Sequence, residues 1–251
     1  MQEDQTYLGS LKKGLKDYLL EFFLLFTAVT LGFFAENLRE EYVQGRLEIR
    51  LMKSMVADLE RNEELLARQQ TSLLQRKIAA DSLAYFFNQP DVDEHGAKIY
   101  QFGRQLAVYA SEFPLASRSL DQLKNSGMFS IINSEVVADS LSNYDNFKTR
   151  YEQRIKWYFE DVKKLQDENK NIFDAHVFEK ATKYTDSDGS WTFLVPEGNP
   201  ALVTDQKKEL VLYYNTVYYL KRNTEIQIRE VKQLLQLTTD LKKLIIEAYA
   251  F

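Results

Sequence analysis

No cysteine occurs anywhere in the chain, which excludes a disulfide framework, a thiolate metal site and a cysteine nucleophile. Histidine is almost as scarce, with two copies. A carboxylate-bridged metal pair in a helical bundle needs a Glu-x-x-His on each of two helices, and none is present. Nor is there a Gly-x-x-x-x-Gly-Lys, a Gly-x-Gly-x-x-Gly or a Gly-x-Ser-x-Gly, so the phosphate-cradling and nucleophile-elbow chemistries have no carrier. Nine glycines and four prolines in 251 residues leave long stretches without a breaker, the composition of long helices. A surplus of positive charge is missing too. The formal net charge is −5, and no basic stripe interleaved with aromatics offsets it, so nucleic acid is not an expected partner.

What is present begins at Tyr18. From Tyr18 to Ala35 the chain reads YLLEFFLLFTAVTLGFFA, with Glu21 as its one ionisable residue. A helix over 18–35 reaches about 27 Å, close to the hydrocarbon thickness of a bilayer. It is read as a single transmembrane helix preceded by a short tail, 1–17. Two other readings compete with it. A secretory signal would explain Lys12, Lys13 and Lys16, yet the apolar part is too long, and Phe33 stands where a cleavage site needs a small residue. A buried helix of a soluble protein fits the length of the uncharged part, 22–35, but that part is apolar around its whole circumference, which requires lipid or a large core.

Glu21 lies within a turn of Lys16 and Asp17, where its carboxylate can reach headgroups, so it needs no role as an ion site. Thr27 and Thr30 are expected to return their hydroxyls to the helix's own carbonyls. Ala28, Gly32 and Ala35 form a small-residue stripe, and Ala28-x-x-x-Gly32 is a spacing that lets membrane helices approach closely. Three basic residues precede the span (Lys12, Lys13, Lys16), and four follow it at greater dilution (Arg39, Arg46, Arg50, Lys53). The clustering favours a cytoplasmic amino terminus and an exported helical domain.

Beyond the span, 36–251 is expected to be an elongated antiparallel bundle of long, coiled-coil-like helices, so the fold class is all-α. From Glu36 to Phe87 there is one glycine and no proline. Ile49, Met52, Val56, Leu59, Leu66 and Leu73 recur there at steps of three, four and seven, a seam that one helix can bury against another. Asn88, Gln89, Pro90 and the acidic run 91–94 end that helix. A shorter helix is expected over 97–113, and Gly127 closes the segment that Pro114 opens. Asn133 or Ser134 caps a long helix carrying Val137, Leu141, Tyr144, Tyr151, Tyr158, Val162 and Leu165. The stretch 182–204 reads as a loop with a short extended piece at 191–195. A last helix starts near Thr204 or Asp205, with Val217, Thr224, Val231, Thr238, Leu241 and Ile245 on its face.

The remaining polar motifs are weak. His95 sits in an acidic turn, and His176 lies beside Asp174 and Glu179, without a recognisable ligand set around either. Asp186-x-Asp188-Gly189 places its glycine too early for a helix-loop-helix calcium site. No cofactor, metal or catalytic residue is therefore expected.

Two segments carry a resemblance: Ala35-Glu36-Asn37-Leu38-Arg39-Glu40 after the apolar run, and RSLDQLKNSG (118–127) followed by Ile131-Ile132-Asn133 and a helix with Tyr144. Together they resemble an uncharacterised family of bacterial proteins with one amino-terminal membrane helix and a helical domain behind it. The resemblance implies an anchor in the bacterial inner membrane and supplies no catalytic residues. The expected partners are the lipid bilayer and either a second copy or another membrane protein. The leading expectation is a non-enzymatic scaffold or envelope-complex subunit. The alternatives are a ligand-sensing bundle that signals through a separate membrane partner, with no ligand identified, and a hydrolase or metal enzyme.

Overall fold

The computed structural model describes residues 3–108, 114–185 and 190–251; within these, the side chains of 3–13, 15, 185, 190 and 191 are outside the description. The chain is all-α apart from one small hairpin. Its first helix, α1, spans Glu3–Phe87, 85 residues without a break, or about 127 Å at 1.5 Å per residue. The tail expected over 1–17 is therefore no separate element: helix begins at Glu3 and runs through both expected boundaries. At the other end the backbone closes into a turn, Asn88 N–H donating to Tyr85 O at 3.2 Å and Gln89 N–H to Phe86 O at 3.3 Å, before Pro90.

A 3₁₀ turn at Val92–His95 leads into α2 (Gly96–Ala107), and an irregular stretch over 114–117 leads into α3 (Arg118–Asn125). The helix expected over 97–113 stops at Ala107; Tyr109 and Phe113 lie outside the described residues. Gly127, at φ 68°, takes the left-handed conformation that ends α3, and a second 3₁₀ turn follows at Met128–Ile131. Helix α4 (Glu135–Ile172) is capped by Ser134, whose Oγ accepts from Val137 N at 3.4 Å. Next come α5 (Ala175–Lys180), an antiparallel hairpin of β1 (Thr182–Thr185) and β2 (Ser190–Phe193), and α6 (Lys207–Tyr249). The hairpin, with Thr182 opposite Phe193, occupies part of the stretch expected to be a loop.

The covered part of α1, from Glu48 to Phe87, is about 60 Å long, and α4 (38 residues) and α6 (43 residues) are about 57 and 64 Å. Three rods of equal length can bury their seams along their whole extent. Partners along α1 and α6 advance in opposite senses: Glu48 meets Tyr249, Glu63 meets Thr239 at 2.7 Å, Asp81 meets Lys221, and Asn88 meets Tyr214 at 3.3 Å. Along α4 the order matches α1, Asn62 meeting Tyr144 at 3.0 Å and Arg76 meeting Tyr158 at 2.8 Å. Between them α2 and α3 return along α1, from Arg76 on Val108 O, through Asn62 on Ala116, to Asp58 and Ser54 on Ser119.

The core has two apolar clusters. The one nearer the uncovered part of α1 is built on Met52, Leu59, Leu66, Leu73, Leu141 and Val231; the far one holds Leu83, Ile99, Tyr100, Val162, Phe173 and Tyr213. Buried polar residues, Arg76, Thr224 and Gln227, lie between the two. Buried threonines on α6 satisfy themselves, Thr224 Oγ1 donating to Leu220 O and Thr238 Oγ1 to Leu234 O.

Candidate functional site

One helix among the described residues is long and apolar enough to cross a membrane, and none of its most apolar eighteen-residue window is buried within the chain. From Tyr18 to Phe34 every large apolar side chain is exposed, Phe26 at 58%. Thr27 Oγ1 donates to Phe23 O at 2.7 Å and Thr30 Oγ1 to Phe26 O at 2.8 Å, so these two hydroxyls need nothing from outside. Ala28, Gly32 and Ala35 lie on this same uncovered length, and a Cβ placed on Gly32 would meet nothing within 4 Å.

Past Ala35 the helix turns polar on part of its circumference. Arg39 donates to both Glu36 oxygens at 2.6–3.1 Å, and this pairing holds the Glu36 carboxyl below its ordinary range. Gln44 reaches Glu40 at 3.0 Å and Arg46 reaches the Tyr42 hydroxyl at 3.0 Å. Leu38 and Tyr42 remain 51% and 63% exposed.

Cover begins with Leu47, half-buried against the nearer cluster, and Glu48, which is 3% exposed. Its carboxylate accepts from Asn133 N at 2.8 Å and Asn133 Nδ2 at 2.6 Å, and the Tyr249 hydroxyl donates to it as well. Burial, and then that carboxylate, push the Tyr249 phenol above its ordinary range. One acidic side chain thereby ties α1 to the start of α4 and the end of α6. Of the expected seam, Met52, Leu59, Leu66 and Leu73 are buried and Val56 is half-buried, whereas Ile49 is 45% exposed. Ile49 is a correction: the buried face starts with Glu48, Leu51 and Met52, and Ile49 stands one residue on from Glu48, off the face that α6 and the segment before α4 cover. Glu48 was missed because a carboxylate counts against burial in any hydropathy pattern. Its only sequence signal is its spacing, four residues before Met52 and seven before Met55.

At the far end, residues 87–93 and 201–214 enclose a cleft of about 640 Å³ lined by Phe87, Val92, Leu202, Lys207, Leu210 and Tyr214. Beneath it an aromatic cluster packs, Tyr100 on Phe173 at 5.0 Å and Phe173 on Tyr213 at 5.6 Å between ring centres. His95 Nε2 is 3.5 Å from Asp91, and its ring is 5.1 Å from that of Phe86. His176 is exposed, 3.7 Å from Glu179, while Asp174 caps α5 by accepting from His176 N at 2.9 Å. Among the described residues no three His, Asp or Glu side chains gather where a metal could bind. Asp186, Asp188 and Gly189 lie outside the described residues.

These features define an all-α chain in which a single helix carries a bundle face at one end and a bare apolar length at the other. Comparison with protein-family models, with curated proteins and with solved structures finds no match.

Proposed function

We propose that the chain is a single-pass membrane scaffold: an elongated antiparallel bundle held off the bilayer by the helix that crosses it, acting through association and not through catalysis. It serves as a subunit of an envelope complex or as a homo-oligomer in a bacterial inner membrane, with the amino terminus cytoplasmic and the bundle exported. The observation that carries this reading is the uncovered apolar length 18–35. In water, eighteen residues of exposed Phe, Leu and Val would cost about 25 cal/mol per Å² of apolar surface, and nothing else in the described chain covers them. Lipid removes that cost. The helix also runs without a break from this length into the bundle, so cleavage after Ala35 would cut a continuous rod, unlike the removal of a signal peptide.

The test is fractionation of the full chain. The expected result is that it stays with membranes washed in alkaline carbonate and leaves them only in detergent. A folded, monodisperse chain in the supernatant without detergent would refute the reading. Ligand sensing is a second reading, favoured by the far cleft and its apolar floor. A screen of small molecules against the full chain in detergent, read as a rise in melting temperature that Tyr214→Ala abolishes, would support it.

A further inference from the structure

The cleft at the far end of the bundle has walls that are tied to each other on both sides of the opening. Residues 194–206 carry neither helix nor strand, and segments of that kind are ordinarily loose on a surface. This one is clamped. Asn199 Nδ2 donates to Asp93 O, and Asn199 Oδ1 accepts from Ala97 N at 3.4 Å, so one side chain joins the strap to the 3₁₀ turn and to the start of α2. The Tyr100 hydroxyl donates to Ala201 O at 3.0 Å, and Val203 N–H donates to Ile172 O at 3.0 Å. Pro200 lies so close on Gly96 that a Cβ there would strike the Pro200 carbonyl oxygen. On the other side, Asn88 Nδ2 reaches the Tyr214 hydroxyl at 3.3 Å. The space of about 640 Å³ between these ties is therefore preformed, and its size is that of a small-molecule site.

The lining sets the class of ligand. Phe87, Leu202, Leu210 and Tyr214 are only half-buried, an apolar floor that the chain itself leaves in contact with water. Asp93 stands on one wall and Asp205 on the other, and neither carboxylate has an ion pair among the described residues, although Lys207 lines the same cleft. Asp91 and Glu94 flank Asp93 in the same turn, so the field at the opening is negative. We infer that this cleft binds a small organic amine in its cationic form, the ammonium between Asp93 and Asp205 and an aromatic or branched apolar body on the floor. The inference deepens the ligand-sensing reading and rests on it. Carboxylates on both walls hold the charged end, and the rings of Phe87 and Tyr214 offer faces that attract a cation. An organic anion of the same shape meets two like charges, and a neutral one gains the floor alone. Lys207, the one cation of the lining, works against such a ligand.

Three probes of nearly the same shape test the charge: phenethylamine, 2-phenylethanol and 3-phenylpropionate. Each is added at millimolar concentration, the affinity range of so small a ligand, to the full chain in detergent at neutral pH and fixed ionic strength. Phenethylamine is expected to raise the melting temperature in a saturable way, and the other two to leave it where it was. Asp93→Asn and Asp205→Asn are each expected to weaken phenethylamine binding about three- to fivefold, the worth of one solvent-exposed ion pair. Lys207→Gln removes the opposing charge and is expected to tighten it about twofold. No shift with phenethylamine, equal shifts from all three probes, full affinity in both aspartate variants, or looser binding in Lys207→Gln would overturn the inference. Equal shifts that Tyr214→Ala abolishes separate the two failures, because they remove the amine and keep a ligand in the cleft.

Discussion

Leu25 and Leu66 lie on one unbroken helix, chemically identical and some 60 Å apart, and one is exposed while the other is fully buried. The difference comes from what surrounds each in sequence. Around Leu25 the apolar residues go all the way round, so no face can be turned to water and no single neighbouring helix can cover them. Around Leu66 they recur only on one side, interrupted by Arg61, Glu63, Glu64 and Arg68, and α4 and α6 cover that side. Backbone structure is the same in both halves; only the medium the side chains require differs. The bundle half must therefore respond to core mutation and to pH as a soluble domain does, and the bare half must not.

The largest contrast is expected on the alkaline side. Burial pushes the Tyr144 phenol up to about 12, and burial, with the charge of Glu230 or Glu168 nearby, pushes Tyr151 and Tyr213 higher still. A folded-state pKa above the unfolded value of about 10 favours the native state fully below pH 10, and that stability is lost as pH rises towards the folded value. With Tyr249, whose phenol is raised as well, four such groups remove about 5 kcal/mol per pH unit above pH 10. Thermal melts of the full chain in detergent at pH 8, 10 and 11 are expected to fall steeply only in the last interval. Tyr213→Phe should flatten that fall by about a quarter at little cost near neutrality, since the Tyr213 hydroxyl is buried without a hydrogen-bond partner among the described residues. An unchanged slope in Tyr213→Phe would break the argument.

Next in size is the paired truncation. Leu66→Ala opens a cavity in the cluster nearer the uncovered part of α1 and is expected to cost about 2 to 5 kcal/mol, roughly 5–15 °C in a domain of this size. Leu25→Ala, on the bare half, is expected to leave the bundle's melting temperature where it was. Equal losses from the two would mean that the apolar length folds against the bundle in solution.

The sequence carried these two halves unequally well. All-round apolarity marks 18–35 without any knowledge of tertiary structure, and a spacing of three, four and seven marks Met52, Leu59, Leu66 and Leu73. Ile49 obeys the same spacing and is exposed, because steps of three and four fit two neighbouring columns of one helix, and the bundle covers the column that carries Glu48 and Met55. The buried polar ties, Glu48 with Asn133 and Tyr249 and Asn62 with Tyr144, join residues more than eighty positions apart, beyond the reach of any local pattern. The hairpin was legible in half: β2 overlaps the extended piece expected at 191–195, whereas β1, four residues long, is too short and too polar to show a period of two. The far cleft draws its walls from 87–93 and 201–214, segments that no spacing rule connects.

The smallest test sets one chemical change in both regions. Glycine to alanine inside a helix ordinarily gains up to about 1 kcal/mol. At Gly32 that gain is unopposed, because an added Cβ meets nothing within 4 Å, and the bundle's melting temperature should not move. At Gly103, on α2, the same Cβ would enter the ring of Phe173. Phe173 cannot retreat, being held between Tyr100, Phe178 and Tyr213 with ring centres 5.0–5.6 Å away. Overpacking of this kind costs about 1 to 3 kcal/mol, so Gly103→Ala is expected to lower the melting temperature despite the better helix former. Phe173→Leu removes the obstructing edge, so the double variant should lose less than the sum of its parts, as contacting residues do. Strict additivity would show that the glycine is kept for some reason other than the ring against it.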